Sequence, residues 1–107
     1  MGFFDLFKTT DINAGIDEYK AAKNAVLLDV RSADEYASGH IPDSRNIDVS
    51  RIGAVSSIIK DKTTPVFVYC LSGARSNQAV SAMKSMGYTN VKSIGGISKY
   101  KGKIVKK

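Results

Sequence analysis

Val66-Phe67-Val68-Tyr69-Cys70-Leu71-Ser72-Gly73-Ala74-Arg75-Ser76 joins two different patterns. Its first four residues are β-branched or aromatic, follow Pro65, and contain no charged interruption. Such a run reads as a strand buried on both faces. Further on, Ala79, Val80, Met83 and Met86 recur at helical spacing as far as Gly87, so a helix begins about five residues after Cys70. Cys70 therefore ends a buried strand just ahead of a helix N-terminus. Unpaired N–H groups and the positive end of the helix dipole favour anions there. A short loop can also turn several N–H groups onto one point. A thiol at that point is predicted to ionise more readily than a free one. Gly73 permits backbone angles closed to other residues. Ser72 and Ser76 supply hydroxyl donors, and Arg75 is a permanent cation able to clamp an oxyanion or brace the loop.

Working outward, short apolar runs alternate with amphipathic stretches, the pattern of an α/β domain with a parallel sheet. Ala25-Val26-Leu27-Leu28-Asp29-Val30 reads as a second central strand. Ser32-Ala33-Asp34-Glu35 is a capping box that starts a short helix, with Gly39 as its C′ residue and Ile41-Pro42 as the turn after it. Ile47 is assigned to a short edge strand. Ile52, Val55, Ile58 and Ile59 predict an amphipathic helix over residues 51–60. Asn90-Val91-Lys92-Ser93 predicts a last strand, broken by Gly95-Gly96. Near the start, Asn13 is placed as the cap of a helix carrying Ile16 and Tyr19, after a strand near residues 7–12.

With 107 residues, 43% hydrophobic and 24% charged, the chain is one soluble domain, residues 1–107, with a core of about 8–101 and a basic tail over 101–107. No apolar run is long enough to cross a bilayer. The stretch Met1-Gly2-Phe3-Phe4-Asp5-Leu6-Phe7-Lys8 lacks the features of a secretory signal, and Leu6 stands where a myristoylation motif wants Ser or Thr. Its aromatics are expected to pack as a first strand or arm. One cysteine excludes an internal disulfide or a zinc cluster and fits a reducing cytoplasm. The net charge is +6, with Lys99, Lys101, Lys103, Lys106 and Lys107 crowded at the C-terminus. These read as a solvated surface and tail, the alternative being attraction of small anions or an acidic partner. No basic stripe with interleaved aromatics points to nucleic acid. No apolar face is left over for a membrane or a second copy, so a monomer is expected.

Four ordered segments resemble the single-domain rhodaneses, a sulfurtransferase family. Leu27-Leu28-Asp29-Val30-Arg31 resembles the first signature strand of that family. Glu35-Tyr36 and Gly39-His40-Ile41-Pro42-Asp43-Ser44 with Asn46-Ile47 resemble the second conserved segment. Val68 to Ser76 matches the catalytic loop, and Gly95-Gly96-Ile97 the closing signature. The likeness spans roughly residues 10–100. It implies a three-layer α/β fold, a five-stranded parallel sheet with helices on both faces. It implies that Cys70 takes a sulfane sulfur from a small anionic donor such as thiosulfate, or from a persulfide or polysulfide. The enzyme persulfide then passes that sulfur to a thiol, a protein thiol or cyanide. The resemblance makes Leu71, Ser72, Gly73, Ala74 and Arg75 the substrate-binding loop, whose N–H groups hold the persulfide. No metal or organic cofactor is implied. Tyr100 stands where a Trp is common, and is expected to pack near the site. Leu71 and Ala74 replace polar loop residues, so a sulfane donor is implied more firmly than thiosulfate itself. Asp29, Arg31, Glu35 and His40 are expected to be structural, since a low-pKa thiolate needs no general base.

Two other functions are open to a cysteine in such a loop. A phosphatase of related fold has five residues between Cys and Arg, because phosphate needs a wider cradle. Here there are four, Leu71 to Ala74, and the smaller ring suits one sulfur atom. Arsenate reduction would need a second cysteine to resolve the oxidised one. A persulfide carrier that hands sulfur to a dedicated protein partner uses the same chemistry as the transferase.

Overall fold

The computed structural model describes residues 11–106. The expected N-terminal arm, and residues 7–10 of the expected first strand, lie outside that range. Helix α1 (Ile12–Ala21) opens the described chain. Its cap is Asp11, whose carboxylate accepts from the Asn13 N–H at 2.9 Å. Asn13 was the expected cap, but it lies inside the helix. Residues 11 and 12 are therefore cap and helix rather than strand. Asp11 wins because its oxygen reaches the second N–H of the helix from outside it.

Strands β1 (Val26–Asp29), β2 (Arg45–Asn46), β3 (Val66–Cys70) and β4 (Val91–Gly96) form one parallel sheet in the order β2-β1-β3-β4. Four strands are present among the described residues, where five were expected. The edge strand β2 ends at Asn46. Ile47 lies one residue beyond, its N–H donating to the Asp29 carbonyl.

Successive residues of the two central strands serve opposite faces. Leu28, Val66, Val68 and Cys70 pack against helix α3 (Ala74–Ser85) and the turn of Val55 and Ile59. Leu27, Phe67 and Tyr69 pack against Ile12 and Ile16 of α1. All five β3 residues are buried, as a strand covered on both faces requires. Full burial of each such apolar side chain contributes about 1.5–3 kcal/mol.

Helix α2 (Ala33–Ser38) has the expected capping box. Ser32 Oγ accepts from the Glu35 N–H, and the Glu35 carboxylate accepts from the Ser32 N–H. Gly39 after it is extended, with φ 161, rather than left-handed. The predicted helix over 51–60 is a 3-10 segment over Val49–Ser57, with non-helical angles at Arg51. Its cap is Asp48, which accepts from the Ser50 N–H.

Strand β4 also departs from expectation. It runs through Gly95-Gly96 instead of breaking there. Val68 pairs with Ser93 and Tyr69 with Gly95, so Ile94 is the extra residue of a bulge. Gly95 takes φ 103, and Gly96 passes so close to the loop that a Cβ there would lie 2.1 Å from the Leu71 carbonyl oxygen. Glycine is what lets this strand run alongside the loop. The basic tail returns to the fold, since His40 and Val105 exchange both backbone hydrogen bonds at 2.9 Å. No helix among the described residues is long and apolar enough to cross a membrane.

Candidate active site

From β1 the chain first moves to β2 at one side of the sheet, then crosses back to β3 and β4 on the other. Ligands of open α/β sheets bind at the strand carboxyl ends where that reversal occurs. Asp29 and Cys70 end the two strands that flank the reversal.

Cys70 is 1% exposed. Its Sγ accepts from the Gly73 N–H at 3.0 Å and from the Ser76 N–H at 3.3 Å, and the Ser76 hydroxyl lies 3.6 Å away. Gly73 occupies the N-cap position of α3 with φ 112 and makes no side-chain cap. Counting from it, Ser76 is N3, the N–H that a Ser or Asp cap would ordinarily satisfy. The sulfur of Cys70 takes that role, so a thiol sulfur caps the helix. Burial pushes the thiol upward. The Ser76 N–H and hydroxyl and the N–H groups of Gly73 and Ser72 outweigh it, and the thiol ionises below its ordinary value.

The other loop residues divide by role. Leu71 is 46% exposed, and its carbonyl accepts from the Ser98 N–H. Ser72 and Ala74 are exposed, and Gly73 is buried. Arg75 does not point at the sulfur as a free clamp. It donates twice to Glu35, at 2.7 and 3.0 Å. Glu35, expected above to be structural and a capping residue, thus also ties α2 to the loop. The Arg75 guanidinium, helped by the Ser32 N–H and hydroxyl, holds the Glu35 carboxyl down at about 2.

Asp29 is fully buried and held by Arg31, whose guanidinium also donates to the Gly39 carbonyl at 2.7 Å. Asn46 donates to the carbonyls of Asp29 and Arg31. His40 stacks on Tyr36 at 3.7 Å, and its Nδ1 donates to the Tyr36 carbonyl. These four side chains thus hold backbone in place, and none hydrogen-bonds to Cys70. Tyr100 packs with the α1-facing cluster and lines a pocket with Ile16, Tyr19 and Ile41.

Two depressions border the loop. One, of about 320 Å³, is lined by Ser72, Gly73, Ala74, Asn77, Ser93 and Lys99, among others. The other, of about 330 Å³, lies among Arg31, Glu35, Gly39, Leu71, Ile97 and Ile104. Ser93 is a feature that the linear pattern does not reveal. Its Oγ lies 2.7 Å from the Ser76 Oγ, because alternation along β4 puts Ser93 on the same face as Val91, the α3 side.

A parallel α/β sheet thus presents a buried cysteine, at the end of a central strand, to converging N–H groups. The chain belongs to the rhodanese family: residues 11–103 match the model of the rhodanese-like domain. It is 36% identical over 91 residues to YqhL of Bacillus subtilis, covering 82% of this chain and 71% of that protein. It is 34% identical over 71 residues to thiosulfate sulfurtransferase PspE of Escherichia coli, covering 65% and 68%. A solved structure, a rhodanese with anions from E. coli, superposes with a TM-score of 0.73 at 31% identity, over 78% of this chain and 99% of that one. Other relatives are longer. The chain spans 24% of the adenylyltransferase and sulfurtransferase uba4 of Ogataea parapolymorpha.

Proposed function

We propose that the domain is a sulfurtransferase working through a persulfide on Cys70. The observation that carries this reading is the sulfur itself, set at the cap of α3 within reach of two N–H donors. In the first half-reaction the Cys70 thiolate attacks the outer, sulfane sulfur of thiosulfate. The new S–S bond forms as the old one breaks, and sulfite leaves with the electron pair. The product is a persulfide anion, and the loop N–H groups that lower the thiol pKa offer it the same hydrogen bonds. In the second half-reaction a nucleophile attacks the outer sulfur. Cyanide leaves as thiocyanate, or a thiolate leaves as a persulfide, and the Cys70 thiolate returns. No proton is required in either step once the thiolate exists, so no general base is needed.

Relatives of this chain carry the name thiosulfate sulfurtransferase, which supports thiosulfate as the donor to try first. The narrow ring, with four residues between Cys70 and Arg75, supports a sulfane sulfur over a phosphate. A free cysteine as nucleophile suits a reducing compartment such as the cytoplasm. A second reading, delivery to a protein thiol, draws on one observation. Leu71 and Ile104, 46% and 42% exposed, border the depression beside the loop, and exposed apolar groups at a site suit a protein acceptor.

The test is turnover of thiosulfate and cyanide, followed as thiocyanate. We expect saturable activity that Cys70→Ala abolishes. Activity retained in that variant would refute the role of Cys70.

A further inference from the structure

We propose that Ser93 is a positioning residue for the nucleophile, and that it acts through the Ser76 hydroxyl to carry the Cys70 proton to the cavity beside the loop. The inference rests on the thiolate chemistry above and extends it to how a sealed thiol becomes a thiolate.

Cys70 is 1% exposed and Ser76 0%. Among the described residues, no titratable side chain hydrogen-bonds to the sulfur. Its side-chain partner is the Ser76 hydroxyl, 3.6 Å away. The charged groups nearby are engaged elsewhere or stand apart. Asp29 and Arg31 at the end of β1 hold each other. Arg75 of α3 is clamped by Glu35 of α2. Lys92 of β4 pairs with Glu18 of α1. Asp48 and Arg51 of the 3-10 segment line a separate depression. Lys99 lines the cavity without bonding to either hydroxyl. The proton therefore has one bonded exit, along Sγ to Ser76 Oγ to Ser93 Oγ. The last link is 2.7 Å. Ser93 is half-buried and lines the cavity of about 320 Å³, large enough for water. Exposed Ser72, Asn77 and Lys99 among its other lining residues open that cavity to solvent.

Each oxygen in this chain has a single proton to give, which makes the two states distinct. With the thiol protonated, Sγ–H donates to Ser76 Oγ. Ser76 in turn donates to Ser93 Oγ or to the Gly73 carbonyl, 3.0 Å away. On ionisation Ser76 takes the sulfur proton and gives its own to Ser93. Ser93 gives its proton to a cavity water, which passes it to solvent. No electrons move between atoms beyond the O–H and S–H bonds made and broken. Afterwards the Ser76 hydroxyl faces the thiolate, and Ser93 donates to Ser76. The Gly95 N–H, 3.4 Å from Ser93 Oγ, also points at that oxygen as a donor. Removing the Ser93 hydroxyl would thus cost the thiolate state its outer donor and close the exit.

Ser93→Thr and Ser93→Val test this, because the two side chains share a shape that suits a strand and differ in the hydroxyl. The readout is the rate of Cys70 alkylation by iodoacetamide against pH, which needs no sulfur donor. We expect Thr to keep the wild-type midpoint. We expect Val to raise it by roughly half a unit, the scale of one modest hydrogen bond, and to slow thiosulfate loading several-fold below that midpoint. Equal midpoints for Thr and Val would overturn the proposal. Failure of the wild type to load any sulfur while Val still shifts the midpoint would instead count against the sulfurtransferase reading alone.

Discussion

Cys70, the proposed nucleophile, also caps α3 through its sulfur, and that coupling has a thermodynamic consequence. Its folded pKa is lowered, so the thiolate is favoured by folding. The sign follows from linkage. A group with a depressed folded pKa contributes stability that is fully present above its unfolded value and is lost as pH falls through the folded value. Wild type is therefore expected to gain stability over Cys70→Ser as pH rises from below the folded value up to the ordinary thiol value of about 8.5. Urea unfolding at a series of pH values checks this, and a difference that stays flat would show that the sulfur is no charged cap. Arg75 is the complementary case. The sequence marks it as a cation near the loop, but its partner Glu35 lies 40 positions away. No local pattern could join them, because the pair exists only after α2 and the loop have met.

At the scale of elements, the site depends on the close passage of β4 under the loop. A methyl group at position 96 would have to occupy space held by Leu71 and Ser72 backbone, atoms that cannot swing aside as a side chain can. Gly96→Ala is expected to destabilise the fold by about 1–3 kcal/mol through overpacking and to slow Cys70 alkylation at neutral pH by displacing the N–H donors. Thermal denaturation and alkylation rate measure the two effects, and a variant with wild-type values in both would contradict the close passage. The same region shows where the sequence is legible and where it is not. Val66 to Cys70 is readable because burial on both faces leaves no polar residue to confuse the pattern. The capping box at Ser32 is readable because it is made within four residues. Gly95-Gly96 reads as a break because glycine usually ends strands. Here it marks a bulge and a close approach, and both depend on the neighbouring chain. Ser93 shares the α3 face with Val91 by simple alternation, but nothing in the linear pattern shows that Ser76 meets it there.

For the whole molecule, the parallel sheet and the site at its strand ends follow from alternation of buried runs and amphipathic stretches. The strand number does not: of the first strand expected near residues 7–12, residues 11 and 12 are cap and helix, and the rest lies outside the described residues. β2 is only Arg45–Asn46. What the assembled fold supplies is a reversal of strand order that brings the end of β1 and the end of β3 side by side. The Asp29–Arg31 pair then braces the one, and the α3 N-terminus receives the sulfur of the other. On the proposed function, this sulfur carries sulfane sulfur. The most direct measurement is intact and peptide mass spectrometry after incubation with thiosulfate, polysulfide or glutathione persulfide. We expect a mass gain of one sulfur atom, mapped to Cys70, reversed by cyanide and absent in Cys70→Ala. No gain with any of the three donors would contradict the proposed function.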